Sequence, residues 1–162
     1  MKETIGYEGI DIHDDSYDCW TLEYKRKKEV AICECGYEKC QPRHSWGPGC
    51  RQFYIMHFVI KGEGKLTIDG KETYSICQNQ IFLNFPGKKY YYEADETNPW
   101  EYVWIGFFGT RVDSILNAID LSKGCIFSIP TDESVKEWFL SVLNSYQATK
   151  TVEIKSEAYC NL

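Results

Sequence analysis

The sequence predicts a mainly β domain, a small antiparallel jelly-roll barrel followed by C-terminal α-helices. Three observations carry this. Runs rich in Val, Ile, Tyr, Phe and Trp recur at short, even spacing from Val30 to Phe108; turn residues separate them; and the apolar period changes from strand-like to helical after Gly109. A chain of 162 residues, 43% hydrophobic and 15% aromatic, holds enough apolar material for one domain with its own core.

Residues 1–29 show no steady period and carry many charges beside isolated aromatics, which suits an arm laid across a domain. The expected strands are Val30 to Cys35, Phe53 to Lys61, Lys65 to Ile68, Glu72 to Ile76, Ile81 to Phe85, Lys89 to Glu93 and Trp100 to Phe108. Asp69-Gly70 marks a two-residue hairpin, because both central residues of that turn need positive φ. Gly62-Glu63-Gly64 gives an earlier bend, and Asn79 offers a residue tolerated in the left-handed region. Such a meander, spanning residues 30–109, closes into the cupin shape, whose interior can hold one small ligand.

Beyond Gly109, Val112, Ile115, Leu116 and Ile119 form one stripe, with Thr110 and Asp113 as the expected capping pair. A short strand from Cys125 to Ile129 comes next. Val135, Trp138, Phe139, Val142, Leu143 and Tyr146 then recur with helical period, and Thr151 to Leu162 begins a further helical pattern without a C-cap. A pattern that stops in mid-course carries the expectation that the natural protein continues past Leu162.

The segments CGYEKCQPRHSWGP (35–48), YIMHFVIKGEGKLTIDGK (54–71), QIFLNFPGKKYYYEAD (80–95) and PWEYVWIGFFG (99–109) resemble, in their order and spacing, the effector-binding half of AraC-type transcription regulators. The resemblance implies a cupin-like barrel that binds a small-molecule effector, and a helical dimerisation segment at 110–162 that forms a homodimer. It also implies a helix-turn-helix domain downstream, through which alone DNA would be bound. Packing of the Trp138 helix on its own barrel is the alternative use of that stripe.

Aligned with the family, Lys61 falls at a basic sugar-contact position, with His57 and Val59 on the same face. Tyr92 falls at a hydroxyl-bearing aromatic position, Tyr102 where the family has a histidine, and Trp104 at a stacking tryptophan. His57, Lys61, Tyr92, Tyr102 and Trp104 are therefore the expected ligand-binding residues. Lysine where the resemblance implies arginine loses a planar fork of donors, and tyrosine for histidine changes a titrating group into a phenol, so the resemblance does not imply which sugar is bound. The CGYEKC variant resembles regulators of glycoside use, which implies a carbohydrate effector. The alternative, that these aromatics are simply barrel core, stays open on sequence.

Charge and motifs narrow the classes. With 24 acidic and 18 basic side chains the net charge is −6, the wrong sign for a phosphate-binding surface. No run is apolar enough to span a membrane and the first residues are acidic, so the expected compartment is the cytoplasm. Cys33, Cys35, Cys40, His44 and Cys50 superficially resemble zinc ligands, but Pro42, Gly47 and Pro48 break the run and no second close pair follows. Reduced thiols are expected, with metal or a disulfide as lesser alternatives; the expectation is no metal and no cofactor. Catalytic cupins pair histidines as H-x-H, whereas His13, His44 and His57 are isolated. The reading is a non-enzymatic sensor, with a metal-dependent cupin enzyme as the alternative.

Overall fold

The computed structural model of the protein describes residues 28–118, 125–129 and 133–152. Nine strands, β1 (Ala31–Lys39), β2 (Ser45–Cys50), β3 (Tyr54–Lys61), β4 (Glu63–Ile68), β5 (Glu72–Cys77), β6 (Gln80–Asn84), β7 (Lys89–Ala94), β8 (Glu101–Phe108) and β9 (Ile126–Ser128), form two sheets. Their orders are β1-β8-β3-β6-β9 and β2-β7-β4-β5, and every paired ladder is antiparallel. Helix α1 (Val112–Asn117) lies between β8 and β9 in the chain, and α2 (Glu133–Val152) comes last. The mainly β, cupin-like fold with helices after it is the one the alternating runs predict.

The turns close as their chemistry requires. Asp69 and Gly70 have φ of 51° and 67°, both in the left-handed region, and Lys71 N–H donates back to the Ile68 carbonyl. Gly62 has φ of 77°, and a Cβ there would stand 2.3 Å from the Pro99 carbonyl oxygen, so no larger residue fits the β3–β4 bend.

Several elements depart from the sequence expectation. Strand β2 lies where Gly47 and Pro48 read as a break. It is an edge strand, where a missing N–H costs no ladder bond, and a register shift between Trp46 and Gly49 absorbs the Gly-Pro pair. Strand β1 continues through Gly36 to Lys39, because the Trp104 ring occupies the space a side chain would fill at Gly36. Helix α1 begins after Arg111 with no side-chain cap. Asp113, expected to cap it, instead accepts a hydrogen bond from the Tyr54 hydroxyl at 2.5 Å. Thr151 and Val152 continue α2 rather than opening a new helix. Residues 1–27 of the arm expected at 1–29, and residues Ile119 and 153–162, lie outside the described residues.

The two faces of the five-stranded sheet bury different sets. Towards the second sheet lie Val59, Phe82, Trp100 and Tyr102, opposed by Leu66, Ile76, Tyr90 and Tyr92. On the far side, Cys35, Phe58, Val103 and Ile105 pack against Phe139 and Leu143 of α2, with Phe58 and Phe139 stacked at 5.4 Å. Helix α2 thus covers its own barrel with one stripe while Trp138, next in sequence to Phe139, stays 56% exposed. Phe139→Ala is expected to cost about 3 to 5 kcal/mol in urea unfolding, as for other buried Phe truncations. Trp138→Ala is expected to cost below about 1 kcal/mol for the monomer, since it leaves no buried cavity. Equal losses would place the helix on the wrong face.

Candidate functional site

Strand alternation places the site. Along β8 and the residue before it, Trp100, Tyr102 and Trp104 face the barrel interior while Val103 and Ile105 face α2. Strands β1 and β3 flank β8, and their partners continue the inner wall: Gly36 lies opposite Trp104 and Glu38 opposite Tyr102 on one side, His57 opposite Trp104 and Val59 opposite Tyr102 on the other. Across the barrel, β7 contributes Tyr92.

Four of the five expected ligand residues meet here. His57 stacks on Phe82 at 4.2 Å and meets Tyr92 and Tyr102 edge-on at 5.3 and 5.5 Å. Tyr102 and Trp104 lie 5.7 Å apart, and Tyr92 stacks on Trp46 at 5.3 Å. His57, Tyr92 and Tyr102 are buried and Trp104 is half-buried. Lys61 does not join them. The register shifts between Val59 and Lys61, setting Lys61 opposite Glu101, on the side of β8 that carries Val103, and its side chain is exposed. The expected alternation through Val59 is broken by that extra residue, so Lys61 is not on the face of His57.

Two charged residues not expected from sequence lie near these aromatics instead. Glu34 sits on β1 opposite Gly106, so close that a Cβ on Gly106 would fall 2.5 Å from Glu34 Cγ. Arg51, at the end of β2, lays its guanidinium 5.2 Å from the Trp46 ring centre. Burial pushes the Glu34 carboxyl up, while the Arg51 charge and a hydrogen bond from the Trp104 side chain pull it part of the way back. Burial above all, then Arg51, lowers His57 to about 3, so its imidazole is neutral at physiological pH. Burial raises both Tyr92 and Tyr102, which stay protonated donors.

Polar capacity inside this wall exceeds its internal pairing. His57 Nδ1, Arg51 Nε and Asn84 Oδ1 are buried with no hydrogen-bond partner among the described residues. Each such group costs about 1 to 3 kcal/mol when left unmet. Aromatic faces and unspent hydrogen-bonding groups on a rigid barrel suit a ligand with both C–H faces and hydroxyls. A separate cleft of about 370 Å³, lined by Arg43, Glu63, Lys65, Glu93, Asp95 and Glu96 among others, holds none of the five expected residues. Its Arg43 already pairs with Glu96 at 2.5 Å.

A family model of the AraC-like ligand binding domain matches residues 32–160. The chain belongs to this family. Within this AraC-like domain, 95 residues are 38% identical to the Msm operon regulatory protein of Streptococcus mutans, covering 59% of this chain and 34% of that protein. Another 30% identity over 109 residues links it to the raffinose operon transcriptional regulatory protein of Pediococcus pentosaceus, covering 64% and 39%. The domain thus spans between a third and two fifths of the length of these relatives. An RmlC-like cupin family protein from Methanocaldococcus jannaschii is 15% identical with a TM-score of 0.44, over 56% of this chain and 86% of that one. So distant a likeness says nothing about chemistry.

The cysteine run resolves differently from its spacing. Cys35 turns outward to the α2 interface and Cys50 is exposed. Cys40 and His44 do meet, together with Glu38, which a count of cysteines and histidines omits. His44 Nε2 lies 3.2 Å from Glu38 Oε1, and the Tyr102 hydroxyl donates to Glu38 Oε2 at 3.3 Å. Burial, then the Glu38 charge, push the Cys40 thiol up to about 12.

The buried histidine yields a pH test. With its folded value near 3 against an ordinary 6.5, His57 takes up a proton on unfolding at intermediate pH, so stability falls as pH drops below about 6.5. His57→Phe, which keeps the stack on Phe82, is expected to flatten the dependence of unfolding free energy between pH 6 and 4 by about 1.4 kcal/mol per pH unit. An unchanged slope in urea titrations would mean His57 is charged or exposed.

Proposed function

We propose that this chain senses a sugar or oligosaccharide inside its barrel and passes the signal, as a homodimer, to a DNA-binding domain elsewhere in a longer transcription regulator. The observation that carries the sugar reading is the set of unpartnered buried polar atoms, His57 Nδ1 and Arg51 Nε, beside Trp104, Trp46, Tyr92 and Tyr102. A core serving stability alone gains nothing from burying them. The Trp104 ring lies close against Gly36, and we take its remaining surface to meet a sugar ring, while Glu34 and Arg51 supply an acceptor and a fork of donors for hydroxyl pairs. The raffinose operon regulator among the relatives supports an oligosaccharide and makes raffinose the first probe.

Isothermal calorimetry separates this inner site from the one expected on Lys61. Trp104→Ala is expected to abolish sugar binding, and Arg51→Met to lower affinity roughly tenfold to a hundredfold, from the loss of a charged hydrogen bond. Tyr102→Phe should cost about 0.5 to 1.5 kcal/mol. Lys61→Met should leave affinity unchanged. A loss in Lys61→Met with none in Arg51→Met would move the ligand off the barrel interior.

The dimer reading rests on Trp138, a large apolar ring exposed on α2 after the helix has covered its own barrel. Trp138→Glu is expected to turn a dimer into a monomer by light scattering, at unchanged secondary structure. A wild-type chain that is monomeric at high micromolar concentration would remove this part of the reading.

A further inference from the structure

We propose that Glu38, Cys40 and His44 form a binding site for one divalent transition-metal ion of the zinc class, at the corner where β1 turns into β2. Among the described residues this is the group of His, Cys and carboxylate side chains whose ligand atoms lie within 4.8 Å of one another. The set of one sulfur, one imidazole nitrogen and one carboxylate oxygen is what zinc takes, whereas calcium and magnesium want oxygen alone.

One pair of ligand atoms already has close to the spacing that a shared ion needs. Bonds of about 2.0 to 2.3 Å to a tetrahedral ion put ligand atoms roughly 3.3 to 3.7 Å apart. The pair His44 Nε2 and Glu38 Oε1 already stands at 3.2 Å. The backbone holds the corner from both sides. Cys40 N–H donates to the Trp100 carbonyl at 3.1 Å, the His44 N–H closes a turn onto Gln41 at 3.0 Å, and the His44 carbonyl accepts from Ala94 N–H at 2.9 Å. Arg43, within the turn, takes a left-handed φ of 58°, which lets the chain double back and bring His44 over Glu38.

The surroundings also fit. The Tyr102 hydroxyl donates to the second oxygen of Glu38, the kind of outer contact that orients a metal-bound carboxylate. Cys40 is 4% exposed and the His44 side chain 39%, so the soft ligand is sheltered while an ion enters from solvent on the histidine side. On binding, the Cys40 thiol proton leaves to solvent as the sulfur–metal bond forms, and three protein ligands leave a fourth position for water. The site shares the Tyr102 hydroxyl with the sugar reading but none of its ligands, which are a β1–β2 corner set, and metal binding is read in the absence of sugar.

Cobalt(II) tests the site, because it reports its own ligands by colour. The full chain, stripped of metal with a chelator and kept reduced, is titrated with cobalt(II) and then with zinc(II). The expected result is a saturating, stoichiometric spectrum with thiolate-to-cobalt absorption in the near ultraviolet and intense visible bands of a four-coordinate ion, abolished by zinc. Cys40→Ser should remove the thiolate band. His44→Gln, on the exposed side and safe for folding, should weaken affinity at least tenfold. Cys50→Ser, an exposed thiol outside the cluster, should change neither. No saturable spectrum, or a thiolate band that survives Cys40→Ser or disappears in Cys50→Ser, would overturn the proposal.

Discussion

Strand β8 lies between β1 and β3, so nearly every residue along it is fixed by hydrogen-bonded ladders on both sides. A slip of one residue would turn Trp100, Tyr102 and Trp104 out towards α2 and bring Val103 and Ile105 into the barrel. Two glycines relieve the crowding this register creates. Gly36 leaves room for the Trp104 ring, and Gly106 for the Glu34 side chain and Phe53. With β8 so held, its inner face makes the aromatic wall, and its outer face makes the platform on which Phe139 and Leu143 seat the last helix. Aromatic wall and helix platform are two sides of one strand, so a shift in β8 is felt directly at α2.

The barrel interior is more polar than its packing needs. His57 stands in a cluster with Phe82, Tyr92 and Tyr102, and is neutral with an unmet ring nitrogen. Glu34 and Arg51 are drawn into the same region, where each charge is tolerated because the other offsets it and Trp104 bonds the carboxylate. Local choices that run against the easiest core are the places where function is to be sought.

Most strands were legible because alternation and turn chemistry agree: Asp69-Gly70 marks its hairpin, and Val, Ile and aromatic residues mark β3 and β8. The last long helix was legible from its period alone. What escaped the sequence depended on long-range pairing. Strand β2 carries Gly47-Pro48, and only its edge position makes that pair acceptable. Gly36 reads as a break until Trp104 is seen to fill its space. The meeting of His57, Tyr92, Tyr102 and Trp104 on one inner face followed from alternation and family position. Lys61 did not, because the shift after Val59 is invisible without the partner strand. Glu34 was hidden by the same cause, since a shift between Ile32 and Glu34 decides which way it points. Glu38, two residues before Cys40, joins Cys40 and His44 only through the fold, which cysteine and histidine spacing does not show.

The claim on which the functional reading turns is that sugar enters the barrel between the β8 wall and the Trp46–Tyr92 stack. Fluorine NMR of the chain labelled with 5-fluorotryptophan reads this residue by residue, with each signal assigned by substitution. Titration with raffinose, and with galactose and glucose for comparison, should move the Trp104 and Trp46 resonances in a saturable way, while the Trp138 resonance on the outer helix shows at most a smaller, secondary change. Resonances of Trp104 and Trp46 that stay fixed at saturating sugar, or a direct response confined to Trp138, would contradict a ligand in the barrel.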